Sequence, residues 1–404
     1  MPLTGTPKVA ATPADNNRRI MVDMDLPLTG VKVADFTGAL AGPLATMCLA
    51  DLGADVVKIE DADRGEMARD TAPWIFVALN RNERSIGIDL RTDDGRALGR
   101  QLALSSDIVV SSFRPGVMAS FGLGAEDLMA EKPSLIYARL SGYGEHGPKA
   151  HRRGLDLTIR AESGLVASGN TVTPGIALVD YLAGATFAQA LLAALIRRDR
   201  TGKGSVIDER LLDAGVFLQG VRLAEHSATG RAEVSPPPPT TGIFDTADGK
   251  MAVAVYYDRD WARLCEGIGR PDAAADERFS TRPRRAEHFD EVRQLVTEAL
   301  RTKTRAEWCE ILDGLGVMVG SVLETDELPT DPQLAHNEVF VDAPAAGGPA
   351  VRLVRLPYTF DGAGLPIRSP APVLNRDGAE ILTDLGFDDD AIADLAARGI
   401  ITNR

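Results

Sequence analysis

Cysteine and histidine are scarce. The three cysteines, Cys48, Cys265 and Cys309, stand far apart with no C-x-x-C pair. That excludes a disulfide framework and predicts reduced thiols, as in a cytoplasmic protein. The five histidines, His146, His151, His226, His288 and His336, show no H-E-x-x-H or similar spacing, so no metal centre is expected. No G-x-S-x-G elbow is present, which argues against a serine hydrolase. G-x-G-x-x-G is also missing. Glu60 does end the second predicted strand, yet the looser Gly38–Gly42 turn reads better as close helix–strand packing than as a NAD site. With no apolar run of about 18 residues, no membrane span is expected. Positive charge is in deficit, 44 Lys and Arg against 58 Asp and Glu, for a net charge of −14. That argues against nucleic acid and anionic membranes as partners. A polyanionic ligand would need a local basic pocket.

What is present is a hydrophobic fraction of 44% over 404 residues, enough for a sizeable core and two domains. Residues 1–24 are polar and are expected to be a flexible lead-in. From Val31 to Phe36 the pattern predicts a strand, then a Gly-rich turn, a helix over Leu44–Leu52, and a second strand over Asp55–Glu60. That βαβ unit calls for a parallel sheet. Strands at Ser85–Leu90, Asp107–Ser111, Leu135–Leu140 and Ser205–Asp208 extend it, with helices over Thr92–Ser105, Leu182–Arg198 and from about Glu209. The fold class is therefore α/β, with a large Rossmann-like domain beginning at residue 25 and running to 225. The run Pro236–Pro239 marks a domain change. Residues 226–335 then read as a small α+β domain, opening on a hairpin around Asp248–Gly249. Residues 336–404 return to the large domain and end in helices over Ala379–Leu385 and near Ala391.

Candidate chemistry falls on few residues. Ser112, Phe113 and Arg114 follow a strand and precede Pro115–Gly116. An arginine there can fork onto phosphate or simply sit in solvent. Asp156, Asp180 and Asp258 lie in apolar settings. Such an aspartate can take a raised pKa or act as a nucleophile, or it can cap a helix.

Several segments together resemble the class III (CaiB/BaiF-type) CoA-transferases, the family of formyl-CoA transferase, carnitine CoA-transferase and α-methylacyl-CoA racemase. They are LPLTGVKVADFTGALAGPLATMCLADLGADVVKIE, LNRNERSIGIDL, SSFRPGVMASFGLG, LIYARLSGYGEHGP, GLDLTIRAESGL, ALLAALIRRDRTGKGSVIDERLLDA, TADGKMAVAV and KTRAEWCEILDGLGV. The likeness runs from about Leu26 to Ile400. It implies a Rossmann-like large domain and a small domain, with two chains wrapped as interlocked rings. It implies acyl-CoA and a carboxylic acid as substrates, with no metal and no NAD. Arg81 and Arg84 join Ser112, Phe113 and Arg114 as its CoA-binding candidates. In the transferases an aspartate attacks the thioester, and the acyl group and CoA pass through mixed-anhydride and aspartyl-CoA intermediates.

The chain departs from that pattern where the nucleophile should be. The stretch after Leu165, Val166 to Pro174, contains no aspartate, and Asn170 is the nearest isostere. Expected cations are replaced by Asp61, Glu83, Ser120 and Ser141, and the histidine of the racemase branch by Leu155. Asp180 and Asp258 occupy positions of that branch's other acid/base carboxylates. Two readings follow. The chain is the non-catalytic subunit of a heteromeric CoA-transferase, as in succinyl-CoA:benzylsuccinate CoA-transferase, paired with a homologous subunit. Alternatively it acts alone, or as another acyl-CoA enzyme such as an epimerase or lyase, through Asp156 or Asp180.

Overall fold

The computed structural model describes residues 26–167, 176–231, 237–343 and 350–403. The expected lead-in and the stretch around Asn170 lie outside the described residues. The chain forms two compact units: residues up to Arg231 together with His336–Arg404, and Ala232–Ala335.

The first unit is built on β1 (Lys32–Phe36), β2 (Asp55–Glu60), β3 (Arg84–Gly87), β4 (Ile108–Ser111), β5 (Ile136–Ser141) and β6 (Ser205–Arg210). All neighbours pair in parallel, in the order β3-β2-β1-β4-β5-β6. The order reverses between β1 and β4, and the carboxyl ends of strands at such a switch point are where open α/β sheets bind ligands. The central strands are mostly apolar because both faces are covered, with Asp35, Lys58 and Glu60 as buried charges among them.

Helices α1 (Ala41–Asp51) and α5 (Leu178–Thr201) cover one face. Helix α2 (Pro73–Leu79) precedes β3, and α3 (Asp93–Ser105) packs on the other face with the C-terminal α11 (Gly378–Asp384) and α12 (Asp389–Ala397). The Thr92 hydroxyl caps α3, accepting the Gly95 N–H at 3.0 Å. Contrary to the expectation of no long apolar run, α5 is by length and composition alone apolar enough to cross a membrane. Here its Val179, Ala183, Phe187, Leu191 and Leu195 are buried in the unit's core. Gly184 lets α5 lie against α1: a Cβ there would come within 2.7 Å of the Ala41 carbonyl. Helix α4 (Asp156–Glu162) precedes α5. After β6, α6 (Leu211–Phe217) starts two residues later than expected, because strand pairing with β5 holds Glu209 and Arg210 extended. Helix α7 (Gly220–Thr229) follows and buries none of its residues.

The second unit carries an antiparallel sheet of β7 (Gly242–Asp245), β8 (Lys250–Ala254) and β9 (Met318–Ser321). Helices α8 (Asp258–Gly267), α9 (Phe289–Leu300) and α10 (Arg305–Gly314) pack on it around Trp261, Leu264, Val296 and Trp308. Helix α10 opens with a capping box between Thr304 and Glu307.

Candidate active site

The crevice at the switch point is lined by the loops after β1 and β4. The β1 loop is held from three sides. Its Gly38 N–H donates to the Ser112 hydroxyl at 2.9 Å, which ties the two loops together. Its Ala39 N–H donates to Glu66 Oε1 at 2.8 Å, and Ala39 takes φ +67° without being glycine. A left-handed alanine is strained, and the Glu66 bond holds it. From below, Lys58 donates to the Thr37 carbonyl at 3.1 Å.

In the β4 loop, Phe113 is exposed and stands edge-on to Phe121, with ring centroids 6.3 Å apart. Arg114 beside it is exposed, and its guanidinium makes no hydrogen bond or ion pair with the described residues. An aromatic face and an uncommitted guanidinium at a switch point can stack a base and grip phosphate.

Arg81 and Arg84 are placed differently. Arg81 is buried, giving Nη2 to Asp51 Oδ2 at 2.7 Å and Nε to both carboxylate oxygens at 3.2 Å. Arg84 gives Nη2 to Asp55 Oδ2 at 2.6 Å and Nη1 to Asp384 at 3.0 Å. Both engage acids at the amino end of the sheet, away from the crevice.

The structure brings Asp156 and Asp180 together. Asp156 sits in the first turn of α4, yet it caps α5: its Oδ1 accepts the Val179 N–H at 2.8 Å and the Asp180 N–H at 3.4 Å. Its Oδ2 lies 3.7 Å from Nη1 of the buried Arg160. Asp180 is half-buried in the first turn of α5, one turn before the Gly184 contact with α1. Burial, and then the neighbouring Asp156 charge, push the Asp180 carboxyl up from 3.8 to about 7. Such a group carries or releases a proton near neutral pH. Asp258 lies in the second unit, where it receives Nη2 of the buried Arg285 at 2.6 Å. The described residues hold no group of three or more His, Cys, Asp or Glu able to bind a metal ion.

Sequence reasoning missed a buried charge cluster beneath the β1 loop: Asp35, Lys58, Glu60, Glu66 and Glu83. The signal was there, as single charges inside the apolar runs of β1 and β2. Burial pushes Glu60 up, but Arg69, Lys58 and Ser85 outweigh it and hold the carboxyl below its ordinary value. Arg69 makes the bidentate contact, with two bonds of 2.7 Å.

A six-stranded parallel sheet covered on both faces, with its switch point between β1 and β4, defines a doubly wound α/β protein. The profile of CoA-transferase family III matches residues 28–378, and the chain belongs to that family. It is similar to the probable fatty acyl-CoA transferase Rv3272 of Mycobacterium tuberculosis, 33% identical over 385 residues, covering 88% of this chain and 97% of that protein. It is 30% identical over 404 residues to the human (Homo sapiens) succinyl-CoA:glutarate CoA-transferase, covering 93% of this chain and 90% of that one. A crystal structure of a CaiB/BaiF family protein from Brucella suis superposes with a TM-score of 0.81 at 31% identity, covering 90% of this chain and all of that one.

Proposed function

We propose that this chain works in CoA transfer between carboxylic acids as the nucleophile-lacking subunit of a heteromeric transferase, of the succinyl-CoA:benzylsuccinate type. The carrying observation is that the stretch after Leu165, where the resemblance places the nucleophile, offers no carboxylate. From Val166 to Ala177 the sequence has neither Asp nor Glu. Asp156 is committed to the α5 cap and to Arg160. Asp180, raised to about 7, lies beyond that stretch in the first turn of α5 and carries the second reading below.

The exposed α6–α7 surface supports a partner chain. Phe217 of α6 is 72% and Val221 of α7 86% exposed, and large apolar side chains left in water gain stability when another surface covers them. The interlocked dimer of the family would supply that cover. Phe113 and Arg114 would contribute the CoA contacts, and the three free thiols suit a reducing cytoplasm. The test is expression of the chain alone and with a homologous, aspartate-bearing chain. Transfer between succinyl-CoA and a second carboxylic acid is expected only from the co-expressed pair. An acyl-aspartyl adduct found by mass spectrometry on this chain would overturn the reading.

Asp180 favours a second reading, an autonomous acyl-CoA enzyme that moves a proton. An acid near neutral pKa beside a second carboxyl suits general acid–base work. Exchange of an acyl-CoA α-hydrogen in D2O, abolished by Asp180→Asn, would select it.

A further inference from the structure

Beneath the crevice lies a second set of ionisable groups, closed off from solvent. Asp35 on β1 and Lys58 on β2 are both fully buried. The Lys58 ammonium has three N–H donors. One goes to Asp35 Oδ2 at 3.2 Å and one to the Thr37 carbonyl at 3.1 Å, which leaves the third. Asp35 Oδ1 in turn accepts the Thr37 N–H at 2.8 Å. The first residue of the ligand-facing loop is therefore clamped at both of its peptide groups.

Glu83 enters this chamber from the turn before β3 and is only 4% exposed. Neither of its carboxyl oxygens meets a well-aligned hydrogen-bond partner among the described residues, although the Thr46 hydroxyl comes near enough to pull on the carboxyl, and Thr37 Oγ1 and Glu66 Oε2 also lack one. Asp35 from β1, Thr46 from α1, and Lys58 and Glu60 from β2 all face Glu83, while Glu66 faces Lys58 from the loop after β2. The single Thr46 hydroxyl proton is contested by Asp35 Oδ2 at 3.1 Å, Pro43 O at 3.2 Å, Gly42 O at 3.5 Å and the Glu83 carboxyl, so it cannot satisfy both Glu83 oxygens. Several buried oxygens and one spare ammonium proton meet the requirement of a buried water, which takes two to four polar partners. A dry chamber would leave each of those oxygens at full desolvation cost.

We propose that Glu83 and Lys58 wall a closed water-binding site beneath the Thr37–Leu40 loop, and that through it Glu83 is a positioning residue for the coenzyme-facing loop. This rests on the reading that coenzyme A binds at the switch point. Glu83 stands in the chamber as a neutral acid, because burial raises its carboxyl well above the ordinary range and the charges of Asp35 and Glu60 add to that, against the pull of Lys58. One water joins its carboxyl to the third Lys58 proton and so keeps the ammonium on Thr37. Ionisation at high pH makes Glu83 a rival of the Thr37 carbonyl for that ammonium, and the loop loosens.

The experiment compares wild type with Glu83→Gln and with the apolar, volume-matched Glu83→Met. Infrared difference spectra at pH 7, wild type minus each variant, should show a protonated-carboxylic-acid C=O band beyond the Asp180 contribution that all three proteins share; difference spectra without it overturn the proposal. This readout does not depend on coenzyme binding, so it separates the inference from the functional reading. Calorimetric titration with coenzyme A, with the homologous chain present if binding requires it, gives the second readout. Wild-type affinity should fall about tenfold at alkaline pH, a difference worth about 1.4 kcal/mol. Glu83→Gln should follow the wild type at neutral pH without the alkaline fall. Identical pH profiles in the two overturn the positioning role. Should no coenzyme bind under any condition, the pH profile of the denaturation midpoint decides: Glu83→Gln must gain on the wild type as pH rises, and parallel profiles overturn the proposal.

Discussion

The two ends of the six-stranded sheet use charge in opposite ways. At the amino end, Arg81 and Arg84 close onto Asp51, Asp55 and Asp384. At the carboxyl end, Phe113 and Arg114 face solvent, and Asp180 finds no ionic partner among the described residues. Four of these groups were candidates of similar standing in the sequence. The lesson is that a residue type marks chemical capacity, while its place relative to strand direction decides whether that capacity holds the fold or meets a ligand.

Substitutions at the two ends can break or sharpen this contrast. Arg81→Ala should have the largest effect. It leaves Asp51 buried, with only the Asn82 amide at 2.7 Å remaining, and should cost about 3 to 5 kcal/mol in chemical denaturation. Coenzyme binding per folded molecule should be unchanged, and a specific loss of binding would move Arg81 to the ligand side.

Asp180→Asn should act through pH. Folding raises the Asp180 pKa from 3.8 to about 7, so the native chain holds a proton that the unfolded chain releases. Wild-type stability therefore declines as pH climbs through that window and levels off above it. The variant has nothing to titrate, and should gain on the wild type by up to about 4 kcal/mol by pH 8. Denaturation curves at pH 4, 6 and 8 check this, and a constant gap would show that Asp180 is an ordinary solvated acid.

Arg114→Ala should leave the denaturation midpoint in place and weaken coenzyme A binding by about 1.5 to 3 kcal/mol, the value of a charge-assisted hydrogen bond. Titration calorimetry reads it, and unchanged affinity would remove Arg114 from the crevice's function. Arg84→Ala should be the mildest, below about 1 kcal/mol, because its carboxylate partners are substantially solvated. An effect as large as that of Arg81→Ala would erase the distinction between the two arginines.

Much of the frame was legible before any coordinates. The strands near Val31–Phe36 and Asp55–Glu60, the Thr92 cap and the Asp248–Gly249 hairpin follow from local patterns, and each falls within a residue or two of its place. Helix α7 was not separated from its predecessor, because an unburied helix has no apolar stripe facing a core. The place of Phe113 and Arg114 in an exposed loop after a strand was legible from the sequence. The joining of Asp156 to Asp180 was not. Residues 24 positions apart meet only when α4 and α5 fold beside each other.

By itself the sequence determined an alternating α/β chain, a parallel sheet with a glycine-rich entry to its first helix, and the absence of an aspartate between Leu165 and Leu178. These rest on short-range rules of periodicity, capping and turn chemistry. Only the tertiary structure decided which charges are partnered. Arg81 meets Asp51 across 30 residues and Arg84 meets Asp384 across 300. The energy of an ion pair depends on distance and burial in space, and neither is set by neighbours along the chain.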